Sequence, residues 1–270
     1  MNNVQKVIKY IAITLAVVLI VGIITGILTI VGTIFGISTL IDMTNNNIAV
    51  HNFTKEYENI HSIEIDISSI DLELITTAET NVNNLKIEGL DIPTEYKFEE
   101  NNGVLKVKGK SVKSNSKLVM YVPNMLNDLD IDIGAGNIQI DNINTQEFSL
   151  GTGATNANIN NLEVSRNADI DAGTGNITIK DANISNLDVD AGIGKLEYTG
   201  YLNGFNDINC GIGKVELNLQ GKESSYRITA EKGIGEVKIN GNKVSGTQTL
   251  GNGSNIIKVS GGIGSLDIRY

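Results

Sequence analysis

The sequence predicts an all-β ectodomain, a parallel β-helix or β-solenoid, preceded by one transmembrane α-helix. Three observations carry this reading. Residues 10–41 contain no charged residue. Beyond them, apolar and polar residues alternate in short runs. From Leu129 onward, Gly-x-Gly pairs interrupt those runs at a spacing of roughly 20 residues, the scale of solenoid repeats.

The charge-free run, YIAITLAVVLIVGIITGILTIVGTIFGISTLI, is 32 residues long. About 20 apolar residues already cross a bilayer as a helix. Lys6 and Lys9 precede the run and Asp42 follows it. This asymmetry predicts a cytoplasmic tail over 1–9, a transmembrane helix over 10–41 and an extracytoplasmic remainder. The run is too long for the core of a cleaved signal peptide, and Ser38–Ile41 make a poor cleavage site. The lipid bilayer is thus the first expected partner. Gly22 and Gly26, then Gly32 and Gly36, form two small-residue pairs that would let a second helix approach closely. They imply either a homodimer through the helix or ordinary glycine usage in membrane segments.

Residues 42–56 are polar and Asn-rich in their first half and read as a linker; the β-domain is then expected over 57–270. Its strand signals begin with Ile63–Ile67 and Ile70–Leu74, where every second residue is apolar. That period puts one face in a core and one in water.

The repeats are clearest over 129–270. They read LDIDIGAGNIQID, EFSLGTGATNANI, ADIDAGTGNITIK, LDVDAGIGKLEYT, NDINCGIGKVELN, ITAEKGIGEVKIN and KVSGGIGSLDIRY. The corner glycines are Gly134 and Gly136, Gly151 and Gly153, Gly173 and Gly175, Gly192 and Gly194, Gly211 and Gly213, Gly233 and Gly235, and Gly262 and Gly264. Successive pairs are 17, 22, 19, 19, 22 and 29 residues apart. Each unit is too small to bury its apolar face alone, so stacked units must supply the core. Aligned on these pairs, Ile133, Leu150, Ala172, Ala191, Cys210, Lys232 and Gly261 form an inward column that Lys232 breaks. The last repeat ends at Arg269-Tyr270 with no cap in view, which predicts an open edge.

Composition excludes some functions. The net charge is −10, and no basic cluster is available to meet nucleic-acid phosphates. The single cysteine, Cys210, forms no intrachain disulfide, and no histidine follows it to act as a base. Gly-Ile-Gly-Lys at 192–195 and 211–214 is followed by alternating strands, whereas a phosphate loop opens a helix. His51 and His61 lack metal-ligand partners nearby in the sequence.

The acidic ladder is the one candidate site. Asp130 and Asp132, Asp169 and Asp171, and Asp188 and Asp190 would stack on the outer face, with strands ~4.8 Å apart. Such carboxylates suit a hard cation such as calcium. Calcium-binding repeats place Asp two residues after Gly-Gly-x-Gly; here Asp267 comes one later. The preferred reading is therefore a solubilising acidic face, with no cofactor.

The alternating first half, the Val122-Pro123 step into LDIDIGAGNIQI and the GxGNI and GIGKL corners resemble the bacterial "putative adhesin" family of unknown function, over roughly 60–270. The resemblance implies a β-helical envelope domain joined to membrane segments, with no catalytic residues to carry over. The expected function is a membrane-anchored, non-catalytic, adhesin-like surface protein that meets an envelope protein or polymer. Two alternatives stand beside it. One is an accessory of envelope-stress sensing acting through the membrane helix. The other is a polysaccharide-active β-helix enzyme, disfavoured by the scarcity of aromatic residues.

Overall fold

The computed structural model describes residues 48–76, 84–110, 112–113, 115–231, 233–244 and 246–270. The expected transmembrane segment 10–41, with Gly22, Gly26, Gly32 and Gly36, lies outside these residues, as does Lys232. No helix among the described residues is long and apolar enough to cross a membrane.

The described chain is all-β and solenoid-like. Its strands are β1 (Val50–Tyr57), β2 (Ser62–Ser69), β3 (Asp71–Ile75), β4 (Leu85–Pro93), β5 (Lys97–Asn101), β6 (Val104–Gly109), β7 (Lys117–Tyr121), β8 (Leu126–Ser185), β9 (Leu187–Asn203), β10 (Phe205–Leu219), β11 (Tyr226–Glu231), β12 (Ile234–Ile239), β13 (Asn242–Val244), β14 (Gln248–Gly251) and β15 (Asn255–Arg269). β8 is 60 residues of continuous strand that winds through three layers of about 20 residues each. Neighbouring layers then pair in parallel: β8 with β9, β9 with β10, and β10 with β15.

Apolar columns run through the stack because inward side chains repeat at each layer. One column is Val107, Ile65, Ile131, Leu150, Ile170, Val189, Ile208, Val259 and Ala230, all buried. After the glycine bend, Leu74, Ile140, Ile159, Ile179, Tyr198, Leu217, Ile268 and Ile239 form a second. Each layer buries little alone and completes its core with its neighbours.

The register corrects one pair of corner glycines. The Cβ position of Gly153 faces the carbonyl oxygen of Gly134, and that of Gly173 faces the carbonyl of Gly153. Gly153 is thus the first corner residue of its layer, and Thr155 takes the second place, between Gly136 and Gly175. Gly151 instead lies over Asp132. The steps from Gly134 to Gly153 and on to Gly173 are 19 and 20 residues, so the uneven steps of 17 and 22 at this layer vanish, while those of 22 and 29 on either side of Gly233 remain. Leu150 accordingly belongs with Ile131 and Ile170 rather than with Ile133.

Asparagine and aspartate make the other corners. Asn142, Asn161, Asp181 and Asn186 have positive φ of 51–58°, the left-handed conformation these residues tolerate best after glycine. Successive copies bond each other: the Asn161 Nδ2 donates to the Asn142 Oδ1 at 2.9 Å.

Both ends of the stack depart from chain order. At one end, β2 lies between β6 and the first layer of β8, and β3 lies between β7 and β8. Antiparallel strands close this end: β5 on β6, β4 on β7 and β1 on β4. At the other end, β15 lies between β10 and the β11–β12 layer, with antiparallel β13 and β14 outside. The expectation of an uncapped last repeat is therefore overturned: β15 is paired on both sides. The expected linker 42–56 also ends early, because Val50–Tyr57 is a strand. Its alternation is weak because an edge strand keeps polar residues on both faces. Phe53 on β1 meets Phe98 on β5 edge-on, with ring centroids 5.0 Å apart, and both pack against the core.

Candidate functional site

The outer surface of the strands leading to the glycine bends is where the stacked acids gather. Asp169, Asp188 and Asp207 are partners on three consecutive layers, and Asp171 pairs with Asp190 beside them. Outward placement follows from strand alternation: the intervening Ile170, Val189 and Ile208 are fully buried.

The predicted ladder is therefore real but divided. Asp130 and Asp132 pair with Glu64 and Asp66 of β2. Ser149 and Gly151 occupy the corresponding places on the layer between them and Asp169 and Asp171. The Glu64 carboxylate is met by Lys106 and Lys108, whereas none of Asp169, Asp171, Asp188, Asp190 and Asp207 joins an ion pair among the described residues. Sequence reading missed Asp207, because Asn206–Asn209 breaks the repeated Asp-x-Asp pattern.

Electrostatics mark the same group. Partial burial first, then repulsion from Asp171 and Asp190, raises the Asp169 carboxyl above its ordinary pKa. Asp188 is raised by burial and by Asp169, Asp190, Asp207 and Asp171. Asp128 is raised by burial and by Asp130, Glu147 and Glu64. These acids border an open groove lined also by Glu147, Asn167, Asn186 and Phe205. Phe205 is 47% exposed and carries the Lys258 ammonium 4.9 Å from its ring centroid.

The sign of the effect on stability is fixed by the raised values. A carboxyl whose pKa is higher in the folded state destabilises the fold while ionised, and this penalty is relieved as pH falls through the folded pKa. Replacing both Asp169 and Asp188 with asparagine should raise the urea midpoint at pH 7. The gain should shrink on acidification and vanish below the ordinary aspartate range. A gain that persisted at low pH would point to packing rather than charge.

The surface formed by the strands after the glycine bends behaves differently. Lys195 bridges Glu197 at 2.8 Å and Glu216 at 2.7 Å, and Lys214 meets Glu216 at 2.6 Å. That surface is charge-balanced, and the acidic one is not.

Other residues singled out by sequence have structural places. Cys210 is 6% exposed, and burial raises its thiol pKa, which lowers the thiolate fraction. His61 bonds Ser62 on the surface, and the His51 ring stacks on Phe53. Among the described residues no three His, Cys, Asp or Glu side chains converge to hold a metal.

A profile of the Toastrack DUF4097 family matches residues 41–251. No curated protein matches the chain. Among solved structures, a "putative adhesin" from Bacteroides fragilis is 14% identical, with 83% of this chain and 99% of that chain covered and a TM-score of 0.45. A "putative cell adhesion protein" from Clostridium sporogenes is 15% identical over 81% of this chain and 99% of its own, with a TM-score of 0.32. A "putative lipid binding protein" from Parabacteroides distasonis is 16% identical over 83% and 98%, with a TM-score of 0.38. All three TM-scores lie below 0.5, so nothing about binding follows from them.

Proposed function

The chain belongs to the Toastrack DUF4097 family, and on that footing we propose that it is a membrane-anchored, non-catalytic cell-envelope protein whose solenoid presents an interaction face. In this reading residues 10–41 hold it in the cell membrane, residues 1–9 are cytoplasmic and the β-domain lies outside. The carrying observation is the group Asp169, Asp171, Asp188, Asp190 and Asp207: five carboxylates on three consecutive layers, with no ion-pair partner among the described residues. A stacked sheet holds these charges at fixed spacing, so the protein has little of its own backbone to order at this face on binding. The partner that fits is an envelope protein or polymer with regularly spaced positive charge. The proposed function requires neither a metal nor any other cofactor.

The test compares the full-length chain with a triple variant, Asp169→Asn, Asp188→Asn and Asp207→Asn. Each is immobilised in detergent and challenged with envelope fractions. Retention of envelope material should fall roughly tenfold or more in the variant, and wild-type retention should weaken with salt as exposed charges are screened. Equal retention by both proteins would remove the acidic face from the account.

A further inference from the structure

The middle residue of the Gly-x-Gly bend forms a ladder of its own. Ile193 pairs with Ile212, Ile212 with Ile263 and Ile263 with Ile234, so four isoleucines stand on four consecutive layers. Strand spacing sets them ~4.8 Å apart. In the three layers of β8 the same place holds Ala135, Ala154 and Thr174. The isoleucines belong to no buried column: Ile234 is 69% exposed, and Ile193, Ile212 and Ile263 are each partly exposed. A contiguous exposed apolar row is a feature of contact surfaces.

Bare backbone lies beside this row. Gly192, Gly211, Gly262 and Gly233, each just before one of the isoleucines, are exposed and carry no side chain. The surface is therefore a ridge next to a furrow, both with the spacing of the layers. It complements itself, because the ridge of one copy fits the furrow of another.

Charge selects the direction in which two copies meet. Asp171 and Asp190 lie on the strands entering the bend and have no ion-pair partner among the described residues. Lys195 and Lys214 lie just after the bend, on the other flank. Stacks running in opposite senses would set acidic flank against acidic flank. Stacks running the same way, about a two-fold axis along the stack, set each acidic flank against the other copy's lysine flank. Of the four ridge layers, only the Ile234 layer carries acids on both flanks, Glu231 and Glu236. There Lys238 and Lys243 hold Glu236 at 2.7 and 2.6 Å.

We propose that the ridge Ile193, Ile212, Ile263 and Ile234 docks a second copy of this chain in parallel, with Asp190 of each copy opposite Lys195 of the other. Four isoleucines a side make a contact smaller than a stable interface needs, so the dimer is weak and concentration-dependent. It uses the acids nearest the bend and leaves Asp169, Asp188 and Asp207 available to another partner.

Cysteine cross-linking of the full-length chain in detergent tests this. Ile193→Cys and Ile234→Cys, at the two ends of the ridge, are oxidised separately. Lys180→Cys, exposed on the surface after the bend, is the control, and the native Cys210 is buried in all three. In a parallel dimer each layer meets its own copy. Each ridge variant should therefore give a disulfide-linked dimer that rises with concentration and exceeds the control about fivefold or more. Adding Asp190→Lys to Ile193→Cys should cut the dimer about fivefold, and adding Lys195→Asp as well should restore it, because the pairing is reversed in sign but still complementary. Ile212→Thr gives a second reading that does not depend on the charged variants folding. The fold already accepts threonine at this place in Thr174, and the change should lower cross-linking at position 193. Cross-linking no greater at 193 and 234 than at 180, cross-linking only between 193 and 234 when the two variants are mixed, or indifference to charge reversal and to Ile212→Thr would overturn the proposal.

Discussion

Replacing Gly194 with alanine is expected to destabilise the domain by about 4 kcal/mol or more, beyond the ordinary range of point substitutions. Gly194 has φ of +151°, a conformation almost reserved for glycine. An added Cβ would also lie 1.6 Å from the carbonyl oxygen of Gly175 on the adjoining layer. Neither problem can be relieved by a side-chain rotation, because both sides of the contact are backbone. The layers would have to separate, and the columns of Leu196 and Tyr198 would lose packing with them. Gly261→Ala is the internal control. It has open space around its Cβ position, so its urea midpoint should change by less than about 0.5 kcal/mol equivalent. Similar effects at the two sites would mean that the close approach of layers at the Gly-x-Gly bend is not as described.

Asn206→Leu should cost about 3 kcal/mol, although it places an apolar residue in an apolar column. Asn206 is fully buried between Leu187 and Ile257. Its Oδ1 accepts from the Leu187 backbone N–H at 3.0 Å. Its Nδ2 donates to the carbonyls of Asn203 and Ile256, each at 3.2 Å. On substitution the buried Leu187 N–H loses its acceptor and the partly buried Ile256 carbonyl loses this donor, while the Asn203 carbonyl keeps the Asn186 N–H at 3.0 Å; each group left unsatisfied costs roughly 1–3 kcal/mol. The gain from burying a leucine offsets part of this. Because Asn206 ties β9, β10 and β15 together, hydrogen exchange in the variant should accelerate first in β15. Uniform acceleration across the domain would instead indicate global loss of stability alone.

These two residues show what the sequence makes legible. The glycine bends and inward columns can be read because one residue type recurs wherever the backbone or the core demands it. Gly194 is such a position. Asn206 is not: a lone asparagine among alternating residues looks like an outward one, and only the neighbouring layers reveal its three partners. The asparagine corners at 142, 161 and 186 escaped for a related reason. In so Asn-rich a chain, the ones with positive φ do not stand out. Gly151 mimics a corner glycine because GTGAT holds two glycines two residues apart, and Thr155 fills the place that a second corner glycine takes in other layers. The out-of-order layers could not be read at all. The repeats ending at Asn240 and at Tyr270 satisfy the same columns, so pattern alone does not order them. The acidic ladder was legible where Asp-x-Asp repeats in a single strand type, and its extension to Asp207 required the register.

Protease accessibility on intact cells tests the central claim most directly, that residues 10–41 anchor an extracytoplasmic solenoid. The full-length chain carries a tag after Tyr270 and is first located by blotting in the membrane fraction. Protease added to intact cells should then remove the tag, while a cytoplasmic control protein stays whole. The stacked sheet itself should resist cleavage, so a protease site is placed just before the tag. A tag that remains protected on intact cells and becomes accessible only after lysis would contradict the account and place the solenoid in the cytoplasm.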